Sequence, residues 1–168
     1  MELVVIGSAK EVAAAHGLVV QPHGRLSVED RPEILIVPGG NWNNPSATQG
    51  ARAEVQRGAI PTLIAEFHEA GTLIAGVCTG SMLVAASGRL AGRHAITHHA
   101  VLGALAGAGV KVVRARVVDD GDIITSGGVT SGLDLALWLV ERFFGPQIAQ
   151  RVESMVEYER RGTVWRES

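Results

Sequence analysis

Cysteine is nearly absent from this 168-residue chain, in which Cys78 stands alone. A single thiol excludes an intrachain disulfide and any zinc site built on paired cysteines. It suits a reducing compartment, so a cytoplasmic location is expected. An excess of one charge is also lacking: 15 Lys and Arg face 17 Asp and Glu, a formal net charge of −2. No basic run exists beyond the small group Arg160, Arg161 and Arg166, which argues against nucleic acid as a partner. Long apolar runs are missing too. Leu3–Ile6 is too short for a signal peptide or a membrane span, so no membrane partner is expected. The 21 glycines follow no period, which excludes collagen and repeat arrays. What is present, at 46% hydrophobic and 19% charged residues, is a globular chain expected to form one domain over residues 1–168.

The pattern along the chain alternates buried strands with helices. Strands are expected at Leu3–Ile6, at Glu33–Val37 before Pro38-Gly39-Gly40, and at Thr72–Val77 before Cys78. Shorter ones are expected at Gly17–Val20, His94–Thr97, Val110–Val113, Ala115–Val118 and Ile123–Thr125, with Asp119–Asp122 as a hairpin turn. Composition favours helix at Glu11–His16, Ala51–Arg57, from Pro61 to Ala70, Met82–Ser87, His98–Ala106, Thr130–Phe144 and Gln147–Glu159. In Thr130–Phe144 the residues Leu133, Leu137, Val140 and Phe144 form one stripe, and Ser27–Asp30 with Pro32 reads as a linker. Buried strands alternating with helices predict an α/β fold with a mostly parallel sheet covered on both faces. Sites in such sheets lie beyond the carboxyl ends of the strands, where Pro38–Gly40, Cys78 and Ser126–Thr130 all fall.

Leu73–Gly80 is the stretch around which the chain is organised. A strand that turns sharply into a helix lifts the residue at the turn above the sheet, and Gly80 permits the bend. A cysteine there is a candidate nucleophile, although a lone cysteine is as well read as a small buried hydrophobe. His98, in Thr97-His98-His99, is the candidate base or ion-pair partner, with His94 and His99 as alternatives. His16, His23 and His68 read as loop, turn and exposed helix-face residues. The N–H groups of Gly39, Gly40 and Thr79 are candidate oxyanion donors. The Thr79 hydroxyl could instead touch substrate or cap the helix. Asn41, with Trp42, Asn43 and Asn44, falls at the expected pocket mouth, and Asp134 reads as a helix-capping residue. Metal is not expected. A His94/His98 pair would need a helix, Ala95–Thr97 reads as strand, and no carboxylate nearby in sequence completes a set. No cofactor is called for.

Five stretches carry a resemblance: Ile34–Gly40 (Ile-Leu-Ile-Val-Pro-Gly-Gly), Ala75–Gly80 (Ala-Gly-Val-Cys-Thr-Gly), Gly88–Gly92, Ala95–His98 and Gly127–Leu137. In order and spacing they resemble the DJ-1/PfpI (ThiJ/PfpI) family of the class I glutamine-amidotransferase-like fold. The resemblance implies a flavodoxin-like three-layer sandwich, usually dimeric. It implies Cys78 as the elbow nucleophile, the Gly40 and Thr79 N–H groups near its sulfur, and His98 close by. The Cys-Thr-Gly form looks most like the isonitrile hydratase branch and the ligand-sensing domains of related transcription regulators. The peptidase-like branch carries histidine where Thr79 stands, so peptidase activity is not expected. A regulator would need an appended helix-turn-helix domain after Gln147–Glu159, where Arg160–Ser168 follows. Family members also begin with a strand and helix ahead of the one matched by Leu3–Ile6. That opening unit, on the order of 30 residues, carries an acidic residue that bonds the elbow cysteine. No carboxylate here takes its place, since Glu2 and Glu11 lie in the wrong segment.

The functional expectation is therefore addition of Cys78 to a small electrophile, in a hydratase-like reaction on an isonitrile or a glyoxalase- or deglycase-like reaction on an α-oxoaldehyde. The expectation from another class is a non-catalytic redox sensor or small-ligand binding module in which Cys78 is oxidised reversibly.

Overall fold

The apolar runs Ile34–Val37 and Leu73–Val77 pair in parallel, and their pairing anchors a five-stranded sheet. The structure, a computed structural model, describes residues 2, 4–5, 10–14 and 17–167. Its strands are β1 (Val4–Val5), β2 (Val12–Ala13), β3 (Val19–Val20), β4 (Gly24–Arg25), β5 (Ile34–Val37), β6 (Leu73–Val77), β7 (His94–Ala95), β8 (Lys111–Val112), β9 (Val117–Asp119), β10 (Ile123–Ser126) and β11 (Trp165–Arg166). Its helices are α1 (Ala51–Arg57), α2 (Ala59–Glu69), α3 (Gly80–Ala86), α4 (Leu102–Gly107), α5 (Ser131–Phe144) and α6 (Pro146–Val156). The main sheet runs β11-β9-β10-β6-β5 and is parallel except for the β9–β10 hairpin. This is the mostly parallel α/β arrangement expected from the sequence.

Side chains alternate across a strand, so one sheet feeds two cores. Ile74 and its register partner Ile123 face one side, where they pack with Ile64 and Phe67 of α2 and Met82, Leu83 and Val84 of α3. Ala75 and its partner Ile124 face the other side, with Leu73, Val117 and the α5 residues Leu135, Trp138 and Leu139. Burying each of the larger side chains contributes about 2 kcal/mol, and burial on both faces explains why β6 and β10 read as continuous apolar runs. Three smaller pairs are separate from this sheet: β1 with β4 in parallel, β2 with β3 antiparallel, and β7 with β8 in parallel. The chain after β7 is docked on β10 by Ile96 N–H, which donates to Thr125 Oγ1 at 3.0 Å.

Several local readings are corrected. Val12–Ala13 is a strand paired with Val19–Val20, where composition favoured helix over Glu11–His16; Ala15 and His16 lie outside the described residues, as do Leu3 and Ile6 of the first strand. Pairing with a β-branched partner overrides weak helix propensity there. Val28–Asp30 is a single 3-10 turn, capped by Ser27, where a linker was expected. The stretch expected as helix over His98–Ala106 divides into a 3-10 turn at His99–Val101 and α4. On α5 the stripe of Leu133, Leu137, Val140 and Phe144 is buried only in part: Leu137 is buried, Leu133 and Phe144 are exposed, and Leu135, Trp138 and Leu139 also enter the core. The last helix stops at Val156, and β11 beyond it had no expectation at all.

Asp119 ties α5 to the sheet. Its buried carboxylate accepts Trp138 Nε1–H at 2.8 Å, Arg142 Nη1–H at 2.9 and 3.0 Å, and the Gly121 N–H at 3.0 Å. Asp119→Ala leaves a buried indole N–H and a guanidinium without their acceptor, and should lower unfolding free energy by about 3 kcal/mol in urea titration.

Candidate active site

Cys78 follows directly on β6, with φ at 56°, in the left-handed region that non-glycine residues seldom occupy. The ladder forces this bend. Cys78 N–H still donates to Ser126 O at 3.1 Å, one step beyond the Ser126–Val77 register pair, while the next residues already turn into α3. Thr97 Oγ1–H donates to Cys78 O at 2.9 Å, and Ser81 N–H reaches the same carbonyl at 3.3 Å. The backbone of Cys78 is thus held from three directions and its thiol is half-buried. Strain held at a residue by surrounding bonds is a hallmark of functional positions.

The loop after β5 meets the elbow backbone to backbone. A Cβ on Gly80 would stand 2.0 Å from Val37 O, and one on Gly39 would stand 2.6 Å from both Thr79 N and Thr79 Oγ1. Only glycine fits either place. The Gly40 N–H donates to Thr79 Oγ1 at 2.8 Å. Thr79 therefore does not cap α3, which has no side-chain cap; its hydroxyl is the acceptor that holds the glycine loop. The Gly40 N–H is engaged in this bond. Among the described residues the Gly39 and Thr79 amides have no hydrogen-bond partner. Asn41, at φ 49°, turns its Nδ2 to Gln49 O at 3.2 Å, and Gly40 O accepts the Ala51 N–H at 2.8 Å, so this loop is closed onto the start of α1. Trp42 packs against the core, whereas Asn43 and Asn44 are exposed.

His98 is half-buried and reaches the same end of the sheet by two routes. Its neighbour Thr97 is bonded to Cys78 O, and Gly128, two residues past β10, packs on its ring so closely that a Cβ there would stand 2.3 Å from Cδ2. His98 Nδ1 accepts the Ala100 N–H at 3.2 Å, capping the 3-10 turn. The neutral ring then carries its proton on Nε2, which makes Nε2 a donor, a partner to negative charge. His99 is exposed, with its ring 4.2 Å from that of His98. His94 lies apart, beside Asp120 at 3.2 Å. His68 is half-buried, with Nε2 2.8 Å from Asp122 Oδ2, and His23 is exposed; His16 lies outside the described residues.

Asp134 was missed as a structural centre. It is 3% exposed and binds Arg116 through Nε at 2.8 Å and Nη2 at 2.5 Å, Tyr158 Oη–H at 3.2 and 3.3 Å, and the Arg161 N–H at 2.9 Å. The Asp134 hydrogen bond raises the Arg116 pKa against the opposing effect of burial, so Arg116 stays charged. Arg116 in turn donates to Thr130 Oγ1 at 3.0 Å and its carbonyl accepts the Gly127 N–H at 3.0 Å. The segment after α6 is thereby connected to the loop that packs on His98. A first-turn position signals a capping acid in sequence, and only burial separates this role from that one.

Gly80→Ala should cost about 2 kcal/mol or more in urea unfolding, because its methyl group meets a carbonyl that belongs to the sheet. Alkylation of Cys78 by iodoacetamide should change in rate in the same variant, while Gly88→Ala, remote from the elbow, should leave that rate as it is.

The sequence profile of the DJ-1/PfpI family matches residues 1–142. The isonitrile hydratase of Pseudomonas putida is 33% identical over 149 residues, which are 88% of this chain and 61% of that protein. The glutathione-independent glyoxalase DJR-1.2 of Caenorhabditis elegans is 29% identical over 150 residues, 88% of this chain and 76% of that protein. A crystal structure of a ThiJ/PfpI family protein from Pseudomonas syringae superposes with a TM-score of 0.79 at 29% identity, covering 95% of this chain and 64% of that one. The chain therefore spans less than two thirds of the isonitrile hydratase and of the Pseudomonas syringae protein. Elbow, glycine loop, sheet order and these likenesses agree: the chain belongs to the DJ-1/PfpI family.

Proposed function

We propose that this protein uses Cys78 as a nucleophile to add water to a small isonitrile. The observation that carries the reading is the strained elbow at Cys78, φ 56°, followed by a threonine whose hydroxyl holds the Gly40 N–H. The likeness to the isonitrile hydratase supports the substrate class. In this reading the thiol adds across the terminal isonitrile carbon: the S–C bond forms and the thiol proton goes to that carbon, giving a thioimidate. Water then adds to the carbon, the S–C bond breaks, the nitrogen takes a proton and an N-substituted formamide leaves, restoring the thiol. The Gly39 and Thr79 amides face the charge that develops during addition, and His98 Nε2–H supplies a proton to nitrogen. The residues Gly40 and Asn41 shape the loop that carries these donors.

A second reading, a glyoxalase-like reaction, has the likeness to the nematode glyoxalase in its favour. There Cys78 adds to the aldehyde carbon of an α-oxoaldehyde to give a hemithioacetal, and the same amides hold the oxyanion. We further propose that the protein is cytoplasmic and acts as a single-domain homodimer. Exposed apolar side chains on α5 and α6, Phe144 at 71% and Met155 at 77%, support self-association. Among the described residues no helix is long and apolar enough to cross a membrane.

Turnover of a small alkyl isonitrile to its formamide, followed by gas chromatography, should be abolished by Cys78→Ser and lowered about a hundredfold by His98→Ala. Turnover of α-oxoaldehydes without isonitrile hydration selects the second reading, and thiol oxidation with neither turnover leaves the sensor role in place of both. Sedimentation equilibrium should give twice the chain mass.

A further inference from the structure

Three side chains far apart in sequence meet at the opposite end of the sheet from Cys78. His94 starts β7, Asp120 follows β9 and Glu167 follows β11. His94 Nδ1 stands 3.2 Å from Asp120 Oδ1 and 3.9 Å from Glu167 Oε1, and one ligand atom from each of the three falls within 4.8 Å of the others. A tetrahedral cation with bonds of about 2.1 Å holds its ligands about 3.4 Å apart, close to both measured separations. The donor set of one imidazole and two carboxylates suits a divalent transition cation.

The surroundings favour a cation over a plain ion pair. Arg93 binds Asp120 Oδ2 through Nε at 2.6 Å and Asp122 Oδ1 through Nη2 at 2.6 Å, and so leaves Asp120 Oδ1 open toward His94. One guanidinium thus serves two carboxylates, Asp120 and Asp122, and the second of these also meets His68 Nε2 at 2.8 Å. The other cations nearby are engaged elsewhere: Arg142 with Asp119, and Arg166 over the Trp138 ring at 5.6 Å. The imidazole of His94 is held in place by Trp165, whose ring centroid lies 4.5 Å away. Asp120 is fixed and nearly buried, whereas Glu167 is exposed and free to swing in.

We infer that His94, Asp120 and Glu167 form a binding site for a zinc-class divalent cation that staples the two-residue strand β11 to the body of the domain. Binding places His94 Nδ1, Asp120 Oδ1 and a Glu167 carboxylate oxygen on the metal, with water as fourth ligand, and displaces the proton between His94 and Asp120. The site is separate from Cys78 and does not rest on the proposed reaction.

Zinc binding is measured by isothermal titration on the full chain carrying Cys78→Ser, which removes the thiol as a competing ligand. One equivalent is expected, with a rise in the thermal unfolding midpoint. Glu167→Gln and His94→Ala should each weaken binding about tenfold or more and abolish that rise, and replacing His98 and His99 together with alanine should change neither. Absence of saturable binding overturns the proposal, as do equal affinity in Glu167→Gln and its parent or loss of binding when His98 and His99 are removed. Should His94→Ala fail to fold, Glu167→Gln decides, because its carboxylate is exposed.

Discussion

Two main chains meet at the elbow with no side chain between them, and the candidate site depends on that approach. Gly39 lies against the Thr79 and Gly80 amides, and Gly80 lies against the carbonyl of Val37. A methyl group on Gly80 would overlap the backbone of β5, and one on Gly39 would overlap the backbone of the elbow itself, where packed main chain has little room to yield. The contact sets how far Cys78 stands above the sheet and where the Gly39 and Thr79 amides are aimed. The hydrogen bond from Gly40 to Thr79 closes the same contact from its other side.

The strain at Cys78 is sustained by bonds from three elements. Ser126 on β10 accepts its N–H, Thr97 after β7 bonds its carbonyl, and Ser81 on α3 shares that carbonyl. A non-glycine residue at positive φ costs of order 1–3 kcal/mol, so each of these bonds helps maintain the bend. The loop following β10 then brings Gly128 onto His98, and Arg116 with Asp134 connects this loop to the segment after α6. Cys78, His98 and the C-terminal segment are thus parts of one bonded arrangement.

Much of the fold was legible because burial leaves a plain mark on composition. Leu73–Val77 is apolar and almost wholly buried, and the hairpin turn after Asp119 is polar and carries Gly121, so their roles can be read directly; Ile34–Val37 is a strand as expected, but of its four apolar residues only Val37 is buried and Ile36 is exposed. Propensity misled where pairing or partners decided. Val12–Ala13 has a helical neighbourhood in composition but a strand partner in space. On α5, Leu133 and Phe144 are as apolar as Leu135 and Leu139, and periodicity alone did not say which face the sheet would cover. The Cys-Thr-Gly elbow was visible because its strand–turn–helix pattern is local, whereas the work of the Thr79 hydroxyl depends on a partner 39 residues away.

By itself the sequence determined the alternation of strands and helices, the single thiol at a strand end and the glycines flanking it, all of which are local consequences of burial and backbone freedom. Tertiary structure alone decided the rest. It turned Asp134 from a helix-capping position into a buried anchor for Arg116, Tyr158 and Arg161. It also gave His94 the carboxylates of Asp120 and Glu167, which no nearby stretch of sequence supplies. The physical reason is the same in both cases: charge and hydrogen-bond partners act over a few ångströms in space, and residues distant in the chain come within that range only in the folded sheet.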